Sequence, residues 1–316
     1  MDNPEISLVI PVFNEEDNVQ PLFDKIVAAM EPIGRSWELI LVDDGSRDRT
    51  PLRLESLSKQ DERVVVVELR RNFGQTAAIA AGFHQARGKI VVTLDADLQN
   101  DPKDIPDLLE IYEKGYDVVS GWRKHRKDGF FLRTFPSRIA NALISWATGV
   151  KLHDYGCTLK VYDRELLREL NLYGEMHRFL PALMYHKGAR VTEVPVNHHP
   201  RIHGQSKYGI GRTVKVILDL LTVIFLGNYA TKPIYLFGFL GIAMLGLGST
   251  IVAAMTYAKF VHGVSMILTP LPVLSAMLVI LGVQFLMMGL LAELQVRTYY
   301  ESQKRPIYNV RRILKR

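Results

Sequence analysis

Residues 89–99, KIVVTLDADLQ, combine the pattern of a buried strand with a cluster of oxygen ligands. Apolar and β-branched residues in sequence are typical of a strand that is covered on both faces of a parallel sheet. The run ends in Asp95, Asp97 and Gln99. In open α/β sheets ligands bind at the carboxyl ends of the strands, and oxygen donors suit Mg²⁺ or Mn²⁺. The alternative is that both aspartates only begin the next turn and helix.

Short apolar runs alternate with helical patterns on both sides of this stretch. The predicted strands are residues 6–12, 37–42, 64–69, 90–94 and 116–120, and the predicted helices are residues 18–30, 50–60, 76–86 and 105–114. Strands that alternate with helices through short connections predict an α/β domain with a mainly parallel sheet.

Three of the predicted strands end in acidic or amide side chains. These are Asn14 and Glu15, Asp43 and Asp44, and Asp95 and Asp97. Because parallel strands place their carboxyl ends on one edge, we expect Glu15, Asp43 and Asp97 to converge in one pocket. This repetition favours a ligand site over unrelated acidic turns.

The nucleotide-binding signatures of other α/β folds are absent from the sequence. No Gly-x-Gly-x-x-Gly follows the first strand, and no Gly-x-x-x-x-Gly-Lys-Ser/Thr occurs. The sheet is therefore predicted to be neither a standard dinucleotide binder nor a P-loop nucleotidase. Carboxylates with a divalent cation still suit a nucleotide diphosphate, because the cation neutralises the phosphates.

Two long stretches near the carboxyl terminus carry no charge. They are residues 233–257 and 266–292, and each exceeds the roughly 20 residues that a helix needs to cross a membrane. Buried helices of soluble proteins are shorter and usually keep a polar face. We therefore predict two transmembrane helices.

The charge distribution indicates how these spans are oriented. The net charge is +6, and residues 297–316 alone hold seven basic side chains against one acidic one. The positive-inside rule then predicts a cytoplasmic tail and, with two spans, a cytoplasmic N-terminal domain at the inner (plasma) membrane. A nucleic-acid partner is not expected, because the basic excess lies outside the folded domain. Cys157 is the single cysteine, which suits a reducing compartment.

Basic side chains follow the fifth predicted strand. Residues 121–128 form a basic loop, and Arg133 and Ser137 share one helix face four residues apart. With Arg123 they could bind a phosphate, although a basic run is more often a solvated face. We predict a cytoplasmic α/β domain over residues 1–210, an amphipathic helix at the bilayer surface over 211–231, the spans within 232–296 and a basic tail over 297–316.

Four motifs resemble those of the polyisoprenyl-phosphate glycosyltransferases. They are VIPVFNE (residues 9–15), VDDGS (42–46), LDADLQ (94–99) and DYGC (154–157). These are inverting enzymes of the GT-A fold in glycosyltransferase family two, in the branch that includes dolichol-phosphate mannose synthase. The nearest resemblance is to the bacterial two-span members, the bactoprenol glucosyl transferases and the aminoarabinose transferases, and it covers essentially the whole chain.

The resemblance implies roles for individual residues. The implied nucleotide-binding residues are Pro11, Phe13, Asn14, Glu15, Asp43, Asp44 and Asp95. The implied ligands of Mg²⁺ or Mn²⁺ are Asp95, Asp97 and Gln99. The implied acceptor-phosphate site is Arg123, Arg133 and Ser137, and a loop with Arg201, Ser206 and Lys207 is expected to close over the diphosphate. The catalytic candidates are Asp97, Asp154, Arg201 and Lys207.

The reaction expected from this resemblance is inverting transfer of a sugar, with UDP-glucose favoured as donor, to a polyisoprenyl (undecaprenyl) phosphate. Such enzymes assemble as homo-oligomers. The second pKa of a phosphate is about 6, so the acceptor needs no strong base and Asp154 is expected to orient rather than deprotonate. Alternatives are another sugar, a processive polysaccharide synthase, whose usual Gln-x-x-Arg-Trp motif is absent, or a non-catalytic nucleotide-binding scaffold.

Overall fold

The computed structural model describes residues 3–124, 141, 144–145, 148–168, 170, 172, 176–200, 234–263, 265, 269–302 and 310–315. The chain divides into two compact units. The first is Met1–Val223 with Pro306–Arg316, and the second is Ile224–Arg305.

The first unit is built on one eight-stranded sheet. Its strands are β1 (Ile6–Val12), β2 (Trp37–Asp43), β3 (Val64–Leu69), β4 (Ile90–Thr93), β5 (Val118–Trp122), β6 (Lys160–Asp163), β7 (Val191–Pro195) and β8 (Val310–Leu314). Its helices are α1 (Val19–Met30), α2 (Thr50–Gln60), α3 (Gln75–Gln85), α4 (Ile105–Glu113), α5 (Arg164–Arg168) and α6 (Leu180–His186). The strand order is β7-β5-β6-β4-β1-β2-β3-β8.

The sheet is mainly parallel, as the sequence predicted. Six strands run in one direction, and β6 and β8 run against their neighbours. Val12 at the end of β1 lies opposite Asp43, and Val9 lies opposite Thr93 at the end of β4. This register brings the ends of β1, β2 and β4 to one edge of the sheet.

Apolar layers cover both faces of the sheet. On one face, Ile6, Leu8 and Ile10 of β1 belong to a buried cluster with residues of α1, α2 and α4. On the other face, Val9 belongs to a second cluster with α3 and α6. Helix α3 lies close to the sheet at Gly82, where a Cβ atom would clash with the side chain of Val9. Small residues in α3 thus set the sheet-to-helix distance behind the carboxyl edge.

The predicted elements match the structure closely up to β4 and less well beyond it. Strand β5 lies two residues later than predicted, so Gly121 and Trp122 belong to the sheet and not to the basic loop. Strands β6, β7 and β8 were not predicted. Residues 310–314 pair antiparallel with β3, and Arg312 bonds to the buried carboxylate of Glu68 at 2.7 Å. The sequence analysis assigned all of residues 297–316 to a basic tail, but residues 310–314 of this segment form an edge strand.

The second unit consists of two long helices, α7 (Ile234–His262) and α8 (Leu271–Ser302). The stretches Tyr235–His262 and Leu271–Ala292 are long and apolar enough to cross a membrane. The helices pack closely at Gly241 and Gly282, and the rings of Phe237 and Phe285 stack with centroids 6.4 Å apart. Small residues that let helix backbones approach are typical of transmembrane pairs. The predicted surface helix, residues 211–231, lies outside the described residues.

Candidate active site

A cavity of about 270 Å³ opens at the carboxyl edge of the sheet. Its lining combines side chains from the ends of β1, β2 and β4 with others from the segments after β5 and before β6. The predicted site residues that line it are Pro11, Phe13, Glu15, Asp44, Asp95, Asp97, Gln99 and Arg123. The structure therefore brings together in one cavity most of the predicted nucleotide and metal residues that it describes.

Asp95 and Asp97 form the acidic part of this cavity. Asp95 accepts a hydrogen bond of 2.7 Å from Nε2 of Gln75. Removal from water, and next the charge of Asp97, raise the pKa of Asp95 to about 6. Asp97 is buried, and its Oδ1 accepts from the backbone N–H of Gln99 at 3.2 Å. Leu98, between Asp97 and Gln99, has a φ of 60°. This backbone conformation is uncommon for a residue other than glycine, and it turns the chain sharply at the site.

This acidic part suits a divalent cation that shares its ligands with a substrate. The charge of Asp97 contributes to the raised pKa of Asp95, and a cation beside the two carboxylates would relieve this repulsion. No group of three or more His, Cys, Asp or Glu side chains among the described residues could hold a metal by protein ligands alone. Mg²⁺ commonly takes one or two carboxylates and completes its shell with water and substrate phosphates. The donor set of Asp95, Asp97 and Gln99 fits that kind of site.

Arg123 and Asp154 form a buried ion pair at the cavity. Nε and Nη2 of Arg123 bond to the two carboxylate oxygens of Asp154 at 2.7 and 2.9 Å. The backbone N–H of Gly156 donates to Asp154 Oδ1 at 3.1 Å. Arg123 lines the cavity, whereas Asp154 bonds to it from behind. A fork-to-fork pair of this kind fixes the orientation of the guanidinium.

The two predicted nucleotide-binding residues at the end of β2 line different cavities. Asp44 lines the main cavity, and its two oxygens accept from the backbone N–H groups of Phe73 and Gly74 at 2.7 and 2.9 Å. Asp43 lines a second cavity of about 320 Å³ together with Arg312. The expected convergence of Glu15, Asp43 and Asp97 therefore holds for Glu15 and Asp97, while Asp43 lies at the neighbouring cavity.

Asn14 is part of the loop that supports the site. It has a φ of 54°, its backbone N–H donates to Ser46 Oγ at 2.9 Å, and its Oδ1 accepts from the N–H of Arg47 at 2.8 Å. Glu15 adds a contact from the same loop to the start of α2, because its backbone N–H donates to Thr50 Oγ1 at 2.9 Å. The loops after β1 and β2 are thus joined by polar contacts.

Several predicted residues are outside the described part of the chain. They are Arg133, Ser137, Arg201, Ser206 and Lys207. Their roles toward the acceptor phosphate and the diphosphate remain predictions.

The cavity also contains polar residues that the sequence analysis did not single out. These are Gln75, Thr158, Lys160, His177 and Arg178. Thr76 Oγ1 lies 2.7 Å from Nδ1 of His177, and burial lowers the pKa of that ring well below its usual range, so it is neutral. The sequence signal for Lys160 is its position among apolar residues, between Leu159 and Val161, although its place beside the aspartates follows only from the fold.

The mainly parallel sheet with a polar cavity at its carboxyl edge agrees with the predicted GT-A class of fold. The sequence profile described as "Glycosyl transferase family 2" matches residues 7–170. The chain belongs to this family.

Curated relatives match the chain over nearly its whole length. The dodecaprenyl-phosphate galacturonate synthase of Rhizobium johnstonii is 47% identical over 98% of this chain and 93% of its own length. The undecaprenyl-phosphate 4-deoxy-4-formamido-L-arabinose transferase of Pseudomonas fluorescens is 40% identical over 98% of this chain and 90% of its own. The predicted family is therefore confirmed, and the protein is an enzyme of the glycosyltransferase class.

Solved structures support the fold. Glucosyl-3-phosphoglycerate synthase from Mycobacterium tuberculosis, in complex with Mn²⁺, UDP and phosphoglyceric acid, superimposes with a TM-score of 0.55 at 19% identity and covers 71% of this chain and 78% of that one. The same enzyme with phosphoglyceric acid alone gives a TM-score of 0.52 at 20% identity over 71% and 80%. At such identity the likeness confirms the predicted GT-A fold and nothing finer.

Proposed function

We propose that this protein transfers a sugar from a nucleotide diphosphate to a polyprenyl phosphate, with inversion at the anomeric carbon. One observation carries the proposal: carboxylates suited to a diphosphate-bound cation and the oriented cation Arg123 line the same cavity. The curated relatives, both named as polyprenyl-phosphate sugar transferases or synthases, support the acceptor class.

The donor nucleotide is proposed to lie along the ends of β1 and β4. Pro11, Phe13 and Glu15 would contact the nucleoside, because they line the cavity beside the acidic pair. Asp43 and Asn14 act less directly in this proposal, because both are bonded to the loop after β2. Asp43 accepts from the N–H of Ser46, and Asn14 accepts from the N–H of Arg47.

The diphosphate is proposed to bind with Mg²⁺ or Mn²⁺ at Asp95, Asp97 and Gln99. A bound divalent cation would supply charge neutralisation for the departing nucleotide diphosphate. The protein's own part is to hold two carboxylates at a fixed place on the sheet edge. Asp97 keeps its position through the bond from the Gln99 N–H, so the ligand oxygens are arranged before the substrate arrives.

The acceptor phosphate would act as its own nucleophile. One of its oxygens forms a bond to the anomeric carbon while the bond from that carbon to the diphosphate oxygen breaks, and the electron pair leaves with the nucleotide. Asp154 bonds to Arg123 through both oxygens, an arrangement that suits orientation better than proton removal. We therefore assign Arg123 to the acceptor phosphate and Asp154 to the positioning of Arg123.

The sequence analysis favoured glucose as the donor sugar. We propose that the donor sugar is a different one. The relatives named above transfer galacturonate and 4-deoxy-4-formamido-L-arabinose, and this supports the alternative of another sugar. The two sugars differ in charge, because only the first carries a carboxylate.

The reaction is proposed to take place at the cytoplasmic face of the inner membrane. Strand β8, which follows the two apolar helices, pairs with β3, which precedes them. This pairing supports a topology in which both flanks of the helices lie on one side of the membrane, as an even number of spans requires. Assembly into a homo-oligomer stays a prediction.

A turnover assay tests the proposal. Full-length protein is incubated with Mg²⁺, undecaprenyl phosphate and a panel of nucleotide sugars, and the glycolipid and the nucleoside diphosphate are both quantified. We expect equal amounts of the two products and their loss with EDTA. Nucleotide binding without glycolipid from any donor would favour the scaffold alternative and overturn the proposed enzyme activity.

A further inference from the structure

Lys160 is a buried cation at the cavity. It lies at the start of β6, its residue is 2% exposed, and it lines the cavity with Asp95 and Asp97. Its Nζ donates one hydrogen bond, of 3.1 Å, to the main-chain oxygen of Tyr155. Among the described residues, no carboxylate lies within salt-bridge distance of this ammonium group.

This position is unfavourable for a lysine unless an anion is close to it. Burial lowers the pKa of Lys160 to about 8, so the side chain stays mostly protonated at neutral pH. A buried ammonium group with one neutral acceptor keeps two N–H donors to satisfy, and such groups are normally paired. An anionic group of a bound substrate would provide that partner.

The neighbouring cations do not have the same environment. Arg123 is paired with Asp154 at 2.7 Å, so its charge is compensated within the protein. Arg178 also lines the cavity and lies near enough to Lys160 to lower its pKa further. His177, which also lines the cavity, is neutral because burial lowers its pKa. Lys160 therefore differs from Arg123, because no carboxylate among the described residues pairs with its ammonium group.

We propose that Lys160 binds the carboxylate of the donor sugar, which makes the donor a nucleotide uronic acid. This inference rests on the proposed function and names its substrate class. A neutral sugar would itself offer no charge to the ammonium group, and a site with a buried polar group left unpaired discriminates strongly between ligands. The diphosphate carries the same kind of charge, so the test must separate the two anions.

The test compares two donors that differ only at C6, UDP-galacturonic acid and UDP-galactose. For full-length wild-type protein we expect a kcat/KM at least 100-fold higher for the uronic acid. In Lys160→Met, kcat/KM for UDP-galacturonic acid should fall on the order of 100-fold, because one buried charged contact is lost. The kcat/KM for UDP-galactose and the Kd of UDP alone should each change by less than about threefold.

The matched control is Lys103→Met, which removes an exposed lysine outside the cavity and should leave both donors unchanged. Lys160→Arg keeps the charge and should keep part of the preference for the uronic acid. If Lys160→Met loses both donors and UDP to the same extent, Lys160 holds the diphosphate and the inference is overturned. Equal use of the two donors by the wild type overturns it as well.

Binding measurements separate this inference from the proposed function. The Kd values of UDP-galacturonic acid and UDP-galactose are measured by calorimetry without any acceptor, for wild type and for Lys160→Arg, which retains the buried cation if Lys160→Met does not fold. A preference for the uronic acid without glycolipid formation would support Lys160 and contradict the transferase reaction. Glycolipid formation without a preference for the uronic acid in binding or turnover would support the transferase reaction and contradict the role of Lys160.

Discussion

Strands β2 and β4 both end in two nearby aspartates, yet the two pairs have different surroundings. Asp44 accepts two backbone N–H groups, from Phe73 and Gly74, and so ties the loop after β3 to the end of β2. Asp95 accepts from the side chain of Gln75, and Asp97 from the N–H of its own turn. Asp44 of the first pair lines the cavity, but both of its oxygens are bonded to the scaffold, whereas both aspartates of the second pair line the cavity. Acidic residues at a strand end therefore indicate the edge of the sheet but not which pair binds the ligand.

The largest effect is expected from the β4 pair. Asp97→Asn keeps the acceptor for the Gln99 N–H but removes one of the two charges available to a cation. We expect turnover to fall by about 10³-fold, within the range for losing a main electrostatic stabiliser, with an unchanged melting temperature. Asp107→Asn, in an exposed turn of α4, is the matched control. Retention of a tenth of the activity by Asp97→Asn would contradict the metal role.

Substitution in the β2 pair should lower stability more than turnover. Asp44→Ala removes the partner of two backbone N–H groups, each bonded to a charged acceptor, and should lower the free energy of unfolding by about 3 kcal/mol. Thermal unfolding in detergent measures this, and Asp44→Asn, which keeps one acceptor oxygen, should lose roughly half as much. If Asp44→Ala unfolds like the wild type but loses turnover as Asp97→Asn does, the distinction between the two pairs is wrong.

A smaller effect is expected at the ion pair behind the cavity. Asp154→Asn keeps the shape of the side chain but weakens its hold on Arg123, so kcat/KM for polyprenyl phosphate should fall by about 10-fold to 100-fold. The Kd for UDP should not change. Asp154→Asn must also retain more turnover than Asp97→Asn. Complete loss of turnover with binding intact would identify Asp154 as a required base.

The smallest effect on catalysis is expected at the second cavity. Arg312 lines it with Asp43 and bonds to the buried Glu68 and to Glu55. Arg312→Met should lower the melting temperature by a few degrees, because Glu68 then lacks its charged partner, while kcat/KM stays within about twofold. Arg53→Met, at an exposed position of α2 outside this cavity, serves as control. A large change in the KM for the nucleotide sugar would instead place this second cavity in the binding site.

The sequence predicted five of the six strands that run in one direction, because these five are continuous apolar runs that end in turn residues. Bounds for β1, β3 and α2 agree with the structure. The antiparallel strands were missed because their pairing depends on distant chain segments: β6 carries the buried Lys160, and β8 follows the helices of the second unit. Local composition does not encode such pairings.

The candidate site was predicted in the same uneven way. Asp95, Asp97 and Arg123 follow strands directly, so their position on the sheet edge could be derived from the order of the elements. Lys160 and Arg178 reach the cavity from an antiparallel strand and a short helical turn. Only the three-dimensional topology places them beside the aspartates.

Strand β8 has a consequence for shortened forms of the protein. A chain cut before residue 234 to obtain a water-soluble domain would also lose Val310–Leu314, which pairs with β3. The backbone of a strand that reads VVVVEL would then face solvent, and an unpaired apolar edge of this kind recruits other chains. Soluble fragments of the catalytic domain should therefore aggregate unless residues 310–314 are reattached through a linker.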